Sequence, residues 1–353
     1  METRHRVIGG DARDLADIED NAVELVVTSP PYPMIELWDE LFATLDPAIA
    51  DHLAAGDGSL AFAGMHDILD EAWEEVARVL INGGIACINI GDATRRLDGG
   101  FRRYSNHARI TATFEALGFD PLPTIHWHKP TNAATKFMGS GMLPPNAYVT
   151  QEHEHILIFR KGGALREFEP KAPDRYQAAY FWEERNRWFS DRWTDVRGRS
   201  QALDAASGRD RSAAFPLTIP YRLIAMYSVY GDTILDPFWG TGTTTIAAMA
   251  AARNSIGVEI DDALRDQFAK QVDAAPEIAR EMGQMRIDRH REFLDESAAD
   301  AFEYQASALD MPVKTRQEAD IQFYGIASMG HSNDGYVVSH QPIAAARTES
   351  DVE

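Results

Sequence analysis

Apolar and polar positions alternate along the chain with two periods, and the switches between them mark its elements. Val7-Ile8 running into Gly9-Gly10-Asp11 reads as a short strand ending in a turn, and Asp14 to Asn21 as one or two helical turns. Val23-Glu24-Leu25-Val26-Val27 is a buried strand, bounded by Thr28-Ser29-Pro30-Pro31-Tyr32. Residues 66–80 show helical spacing of Ile68, Leu69, Trp73, Val76 and Leu80, and Asn82-Gly83-Gly84 is read as the stop before an apolar strand at Ile85 to Ile90. A helix over 105–117 ends at Gly118, and strands follow at 122–128 and at Glu154 to Arg160. The rhythm resumes with a helix from Tyr221 to Tyr230, a strand at Thr233-Ile234-Leu235, a Gly/Thr turn, a helix from Thr244 to Ala252 and a strand from Ser255 to Ile260. Strands alternating with helices predict an α/β fold with a mostly parallel, doubly wound sheet.

Two segments depart from that rhythm. Residues 171–212 hold nine bases against seven acids, and among them stand Tyr176, Tyr180, Phe181, Trp182, Trp188, Phe189 and Trp193. Residues 263–353 are acidic: helix is expected first, then a strand around Ile321-Gln322-Phe323-Tyr324, then a polar tail from about Arg347. No internal repeat is visible.

Composition narrows the class. At 353 residues with 44% hydrophobic and 25% charged positions, the chain can bury a sizeable core and is neither disordered nor fibrous. No apolar run approaches the ~20 residues of a membrane span. Met1 to Arg6 leads straight into Val7 without an apolar leader, so a soluble, cytoplasmic protein is expected. Cys87 is the single cysteine, which excludes an intramolecular disulfide and a cysteine-built metal cluster. The net charge of −21, with only six lysines among 34 bases, resembles the surfaces of proteins from salt-loaded cytoplasms; an acidic mesophilic protein is the alternative.

The turn Leu235-Asp236-Pro237-Phe238-Trp239-Gly240-Thr241-Gly242-Thr243-Thr244-Thr245 lies between a strand and a helix. Its glycines allow close approach of a ligand to the backbone, and the helix behind offers free N–H groups. About 17 residues beyond Gly242, a strand delivers Glu259, an acid that can accept from a ribose diol. A dinucleotide fingerprint needs glycine where Thr245 stands, and no P-loop motif occurs. Asp236 would repel a pyrophosphate and bind an ammonium group. A ribose, a cationic amino-acid end and no phosphate describe S-adenosylmethionine.

The Ser29-Pro30-Pro31-Tyr32 turn follows a buried strand and so lies at the carboxyl edge of the sheet. Consecutive prolines fix the backbone and withhold donors, leaving the carbonyls of Ser29 and Pro30 as rigid acceptors for the two hydrogens of an exocyclic amine. Tyr32 can stack on the base that carries the amine. Alone, such a segment is equally an ordinary turn or a polyproline ligand.

Together the two turns resemble the catalytic and cofactor motifs of the amino-group DNA methyltransferases. The catalytic motif comes first, as in the circularly permuted β class of that family. Gly10-Asp11-Ala12-Arg13-Asp14-Leu15, Arg78 to Gly84, Trp127-His128-Lys129-Pro130 and Ala214-Phe215-Pro216 through Ile224 add further likeness, so that the resemblance covers about residues 5–262. It implies a Rossmann-like methyltransferase fold. Catalytic roles would fall to Ser29, Pro30, Pro31 and Tyr32. Asp11, Asp236, Pro237, Phe238, Gly240, Gly242, Thr243, Thr244 and Glu259 would hold S-adenosylmethionine. Serine at the first catalytic position favours cytosine N4 over adenine N6. Where the family has a histidine before the Ala-x-Phe-Pro segment, this chain reads Arg211-Ser212.

The implied domain plan has a catalytic half at 1–170, a target-recognition insertion at 171–212, a cofactor half at 213–262 and an extension at 263–353. Arg185, Arg187, Arg192, Arg197 and Arg199 are the candidate contacts to double-stranded DNA, from which the target base must be flipped. The insertion could equally pack its aromatics internally. A cognate restriction endonuclease and a homodimer are the candidate protein partners. A non-catalytic recognition subunit and an RNA methyltransferase are the competing functions. His126 with His128, and His153 with His155, share strand faces but lack a third ligand at a recognisable spacing, so no metal is expected. Asp92 either lines the pocket or caps a turn.

Overall fold

The computed structural model describes residues 1–98, 100–129, 138–196, 215–298 and 301–343. Ten strands, labelled in chain order, form one sheet: β1 (Glu2–Gly9), β2 (Val23–Thr28), β3 (Leu80–Ile90), β4 (Phe119–His128), β5 (His153–Lys161), β6 (Arg192–Trp193), β7 (Thr233–Asp236), β8 (Asn254–Glu259), β9 (Tyr324–Ser332) and β10 (Gly335–Pro342). Their order is β6-β4-β5-β3-β2-β7-β8-β1-β10-β9. The five central strands β3, β2, β7, β8 and β1 are parallel. Antiparallel β5 and β4 extend one side, and the β9–β10 hairpin extends the other.

Among the described residues, ten helices accompany the sheet: α1 (Asp39–Leu45), α2 (Pro47–Ala54), α3 (Gly58–Val79), α4 (Asn106–Ala116), α5 (Pro173–Gln177), α6 (Trp182–Trp188), α7 (Thr218–Tyr227), α8 (Thr243–Ala250), α9 (Asp262–Gln271) and α10 (Ala275–Glu296). Period-2 alternation along the strands explains how both faces are covered. Val26, Ile88, Phe159 and Leu235 pack with Phe42, Trp73 and Phe114 from α1, α3 and α4. Leu25, Val27, Cys87 and Ile158 pack with residues of α7, α8 and α10 on the other face. The predicted α/β fold with a doubly wound, mostly parallel centre is thus observed. Among the described residues no helix is long and apolar enough to cross a membrane.

Three local expectations fail for physical reasons. Residues 14–21 form turns, not helix, because their backbone is satisfied from α3: Leu15 N–H donates to Glu75, while Arg78 donates to the carbonyls of Leu15 and Ile18. Asn82-Gly83-Gly84 does not terminate the helix, which ends at Val79; it lies inside β3, where pairing with β2 slips between Val23/Leu80 and Leu25/Ile85. Gly83 has φ +77°, and a Cβ there would lie 2.8 Å from the Arg166 nitrogen. The strand expected at 321–324 begins only at Tyr324. Ile321 and Phe323 instead fill a small core with Phe181 and Ile287, so their apolar character reflects a packed connector. The polar tail from Arg347, like Arg197 and Arg199, lies outside the described residues.

The arginine- and aromatic-rich segment does bury aromatics. Phe181, Trp188 and Trp193 are buried, and Glu184 of α6 forms a buried two-bond pair with Arg286 of α10. The acidic extension therefore packs against this segment, and its hairpin β9–β10 joins the sheet beside β1.

Candidate active site

Parallel pairing of β2 with β7, and of β7 with β8 and β8 with β1, brings four strand ends to one edge. From those ends come Ser29-Pro30-Pro31-Tyr32, the glycine turn, Glu259 and Asp11. Thr28 Oγ1 donates to Asp236 Oδ1 (2.6 Å) and Thr244 Oγ1 to Asp236 Oδ2 (2.6 Å), tying the two turns to one buried carboxylate. Burial pushes that carboxyl up to about 6, against the opposing hydrogen bonds from Thr244, Thr28 and the Phe238 N–H. Glu259 accepts from the backbone N–H of Gly240 (2.7 Å) and of Asp261 (2.9 Å), which fixes its plane. Gly240 and Gly242 take φ +58° and +78°, and a Cβ on Gly242 would lie 2.3 Å from Phe268. Thr245, standing where a dinucleotide site has glycine, accepts from the indole N–H of buried Trp239 (2.7 Å). Arg13 grips Asp11 through Nε and Nη2; burial of Asp11 opposes ionisation, but these bonds outweigh it and hold the carboxyl below its usual range.

Two cavities meet here. The larger, about 530 Å³, is lined by Asp11, Pro237, Phe238, Gly240 and Glu259 on the strand side and by Trp38, Leu41 and Phe42 on the helical side. The smaller, about 280 Å³, is lined by Pro30, Tyr32, Asp236, Thr241, Thr243, Lys129 and Glu154. Ser29, Leu37, Trp38, Phe238, Gly240 and Leu264 line both. The larger lies within the ~300–1,000 Å³ usual for small-molecule pockets. Carboxylates stand at its polar end, its wall is apolar, and the one arginine among its described lining residues, Arg13, is already paired with Asp11. That donor set fits a ribose-bearing, phosphate-free ligand. Asp236, in the wall of the adjoining cavity, fits its ammonium group.

Besides Ser29, Tyr32 is held by two residues that the sequence reading did not single out as functional, Asn89 and Glu154. Its Oη accepts from Asn89 Nδ2 (2.8 Å) and Ser29 Oγ (3.2 Å) and donates to Glu154 Oε2 (3.0 Å). Glu154 also accepts from Asn89 (2.8 Å) and pairs with Lys129 (2.7 Å). Burial, then the Glu154 charge, pushes the Tyr32 hydroxyl well above its ordinary value, so it remains a phenol. A Cβ on Gly91 would lie 3.0 Å from the Tyr32 ring, so the ring is confined on that side as well. Asp92 sits off this site: it accepts from the ring and backbone N–H of His107 and caps the start of α4. Cys87 is buried in β3, and burial alone raises its thiol.

The candidate DNA-contacting arginines are divided. Arg185 lies on the opposite edge, in a cavity with Glu24, Gly83 and Val229 at the amino ends of the parallel strands, away from the two turns. Arg187 is exposed near Arg222 and Arg289, and Arg192 is exposed on β6 opposite His126. The described chain stops at Val196, whose carbonyl takes the Trp127 indole N–H, and resumes at Phe215 in the wall of the smaller cavity.

The profile of a family described as DNA methylase, N6/N4 type, matches residues 23–270. Type II methyltransferase M.MthZI of Methanothermobacter thermautotrophicus is 48% identical over 327 residues, 92% of this chain and 91% of that protein. Type II methyltransferase M.MjaI of Methanocaldococcus jannaschii is 52% identical over 283 residues, 77% of this chain and 92% of that one. Among solved structures, a protein of Thermus thermophilus described as a candidate DNA modification methylase, complexed with S-adenosyl-L-methionine, is 34% identical. It superposes with a TM-score of 0.60 over 77% of this chain and 94% of its own.

Proposed function

This chain belongs to the N6/N4 DNA methylase family, which uses S-adenosylmethionine, and from that premise we propose that it methylates the exocyclic N4 amine of a cytosine flipped out of duplex DNA at a specific site. The observation that carries this reading is the junction of the two cavities at Ser29, Phe238 and Gly240, one with the acids for a nucleoside and the other with the proline turn and Tyr32. Asp11, Phe238, Gly240 and Glu259 would hold the adenosine part, and Asp236 the ammonium group. S-adenosylmethionine supplies the methyl group.

Tyr32, fixed by Asn89 and Glu154, stacks on the base, and the carbonyls of Ser29 and Pro30 accept the two amine hydrogens. That hold aims the nitrogen lone pair across the junction. The nitrogen bonds the methyl carbon, the carbon–sulfur pair stays on sulfur, and one amine proton leaves for solvent. Positioning supplies most of the rate. Ser29, in place of the aspartate more common in adenine enzymes of the family, supports cytosine N4.

DNA contacts are assigned to Arg187, Arg192, Arg197 and Arg199. Arg185 is left out because of its place on the far edge. The acidic, lysine-poor composition supports work in high salt, where counterion release weakens and contacts to base edges carry more of the specificity. Pairing with a restriction endonuclease, in the cytoplasm, is part of the same proposal.

The test is transfer of tritiated methyl from S-adenosylmethionine to duplex DNA across a range of salt, with digestion to identify the nucleoside. N4-methylcytosine is expected, and Ser29→Ala/Tyr32→Ala should lose at least about a hundredfold in rate. N6-methyladenine would overturn the base assignment. Cofactor binding without transfer to any DNA would favour a recognition subunit or an RNA substrate.

A further inference from the structure

The three histidines His126, His153 and His155 come from the ends of β4 and β5, where register places His126 directly opposite His155. The cross-strand pairing supplies the third ligand that spacing along the sequence conceals. Their ring centres lie 5.5, 5.2 and 4.9 Å apart, and the ring planes are mutually steep, at 77°, 66° and 80°. Zinc–nitrogen bonds of ~2.0–2.1 Å in tetrahedral directions place imidazole centres about 5 Å apart, so the observed triangle has the size of a three-histidine site. One ring nitrogen of each lies within 4.8 Å of the others. Small side-chain rotations would bring them to bonding distance.

A second observation points the same way. Among the described residues, the other buried histidines are hydrogen-bonded: His5 to Ser255, His66 to Asn106, His290 to Glu183 and His340 to Thr3. His155 is only 7% exposed, yet neither its ring nor those of His126 and His153 has a hydrogen-bond partner among the described residues. The ring nitrogens of the triangle are therefore not committed to a partner among the described residues, whereas each of the other buried histidines has at least one ring nitrogen so bonded. His107, locked by Asp92 at 2.8 Å, stacks on His155 at 4.2 Å and 17° and fixes its plane, as supporting shells of metal sites do.

We propose that His126, His153 and His155 bind a divalent transition metal of the zinc type, with water completing the coordination. Its role is to staple the ends of β4 and β5. Glu154 lies between two of the ligands on the opposite face of the strand, and Lys129 follows three residues after the third, so the staple holds the main chain that presents both to Tyr32. The metal takes no part in methyl transfer, and the site stands or falls independently of the base assignment.

The test uses tag-free full-length protein dialysed against chelator, without DNA or cofactor. Cobalt(II) is titrated by absorbance and zinc by calorimetry, with thermal unfolding followed in parallel. One equivalent should bind, with the visible bands of a four-coordinate cobalt site that zinc displaces, and the unfolding temperature should rise. His126→Ala, at an exposed position, should weaken binding by at least about a hundredfold, as should His153→Gln. His128→Ala, on the same strand face but outside the triangle, should leave it unchanged. Absence of binding at millimolar zinc would overturn the proposal. So would equal losses in His126→Ala and His128→Ala, which would mean adventitious capture by surface histidines.

Discussion

The glycine turn after β7 and the proline turn after β2 end neighbouring strands, yet what holds each in shape comes from different distances along the chain. Within the glycine turn, Asp236 takes the Thr244 hydroxyl, Gly240 donates to Glu259, and Trp239 donates to Thr245, all inside a segment of some two dozen residues. The proline turn has little of its own. Tyr32 is held by Asn89, 57 residues on, and by Glu154, 122 residues on. A turn completed locally writes its partners into its own motif. One completed by tertiary pairing leaves them among ordinary strand residues.

That difference explains what was legible. Asp236, Glu259 and the two glycines could be singled out from spacing alone, because strand, turn, helix and terminal acid follow in one run. Asn89 and Glu154 could not, since Asn89 is a polar position near the end of an apolar run and Glu154 stands between two histidines, and only the antiparallel pairing of β3 with β5 sets them side by side. The parallel centre of the sheet was readable from buried apolar runs. The β9–β10 hairpin was not, because Gly325, Ser328, Gly330, Ser332 and Ser339 break the strand pattern, and the sheet edge beside β1 supplies the order. The same logic hides the histidine triangle: pairs at i, i+2 are visible, and the cross-strand third member is not.

The sharpest way to break the comparison is Asp236→Asn, which removes the charge at the centre of the local turn while keeping its shape. Affinity for S-adenosylmethionine should fall by about a hundredfold, the loss expected for a buried ionic contact. Calorimetry would check it. In the wild type, the carboxyl is raised to about 6, so it is charged at pH 8 and largely neutral at pH 5; affinity should therefore decline as pH falls through 6, and the variant should lack that dependence. A raised carboxyl favours the folded state only while protonated, and this contribution is lost as pH rises from about 4 through 6. The ligand-free variant should thus melt higher than wild type at pH 8 and nearly alike at pH 5. Equal melting at both values would remove Asp236 as the origin.

Glu154→Gln probes the distant scaffold. An amide accepts at one end only, so either Lys129 or the Tyr32–Asn89 pair loses its acceptor. Cofactor affinity should stay unchanged while kcat drops roughly tenfold through misplacement of the stacking ring. Tyr32→Phe should cost a similar factor, and the double variant little more, since both break one network. Additive losses, or a change in KM alone, would mean that Glu154 touches the base itself and is not a positioning residue.

Thr245→Val tests the smallest piece of the local turn. Valine keeps the volume and the branched shape but cannot accept the indole N–H of Trp239, which is 2% exposed and has its Nε1 bond at 2.7 Å to this one hydroxyl. Trp239 cannot swing away to find another acceptor, because it packs over Gly257, where even a Cβ would approach to 2.1 Å. The N–H is left buried and unpaired, at a cost of ~1–3 kcal/mol in stability by denaturant unfolding. Cofactor affinity should change no more than a few-fold, since the hydroxyl faces the indole and Gly240 still rests on Glu259. The distinction matters for how the turn works. If binding collapses while stability holds, the side chain at 245 shapes the ligand cradle directly. If stability falls and binding survives, the cradle is made by backbone and glycine, and Thr245 serves only to anchor the tryptophan beneath it.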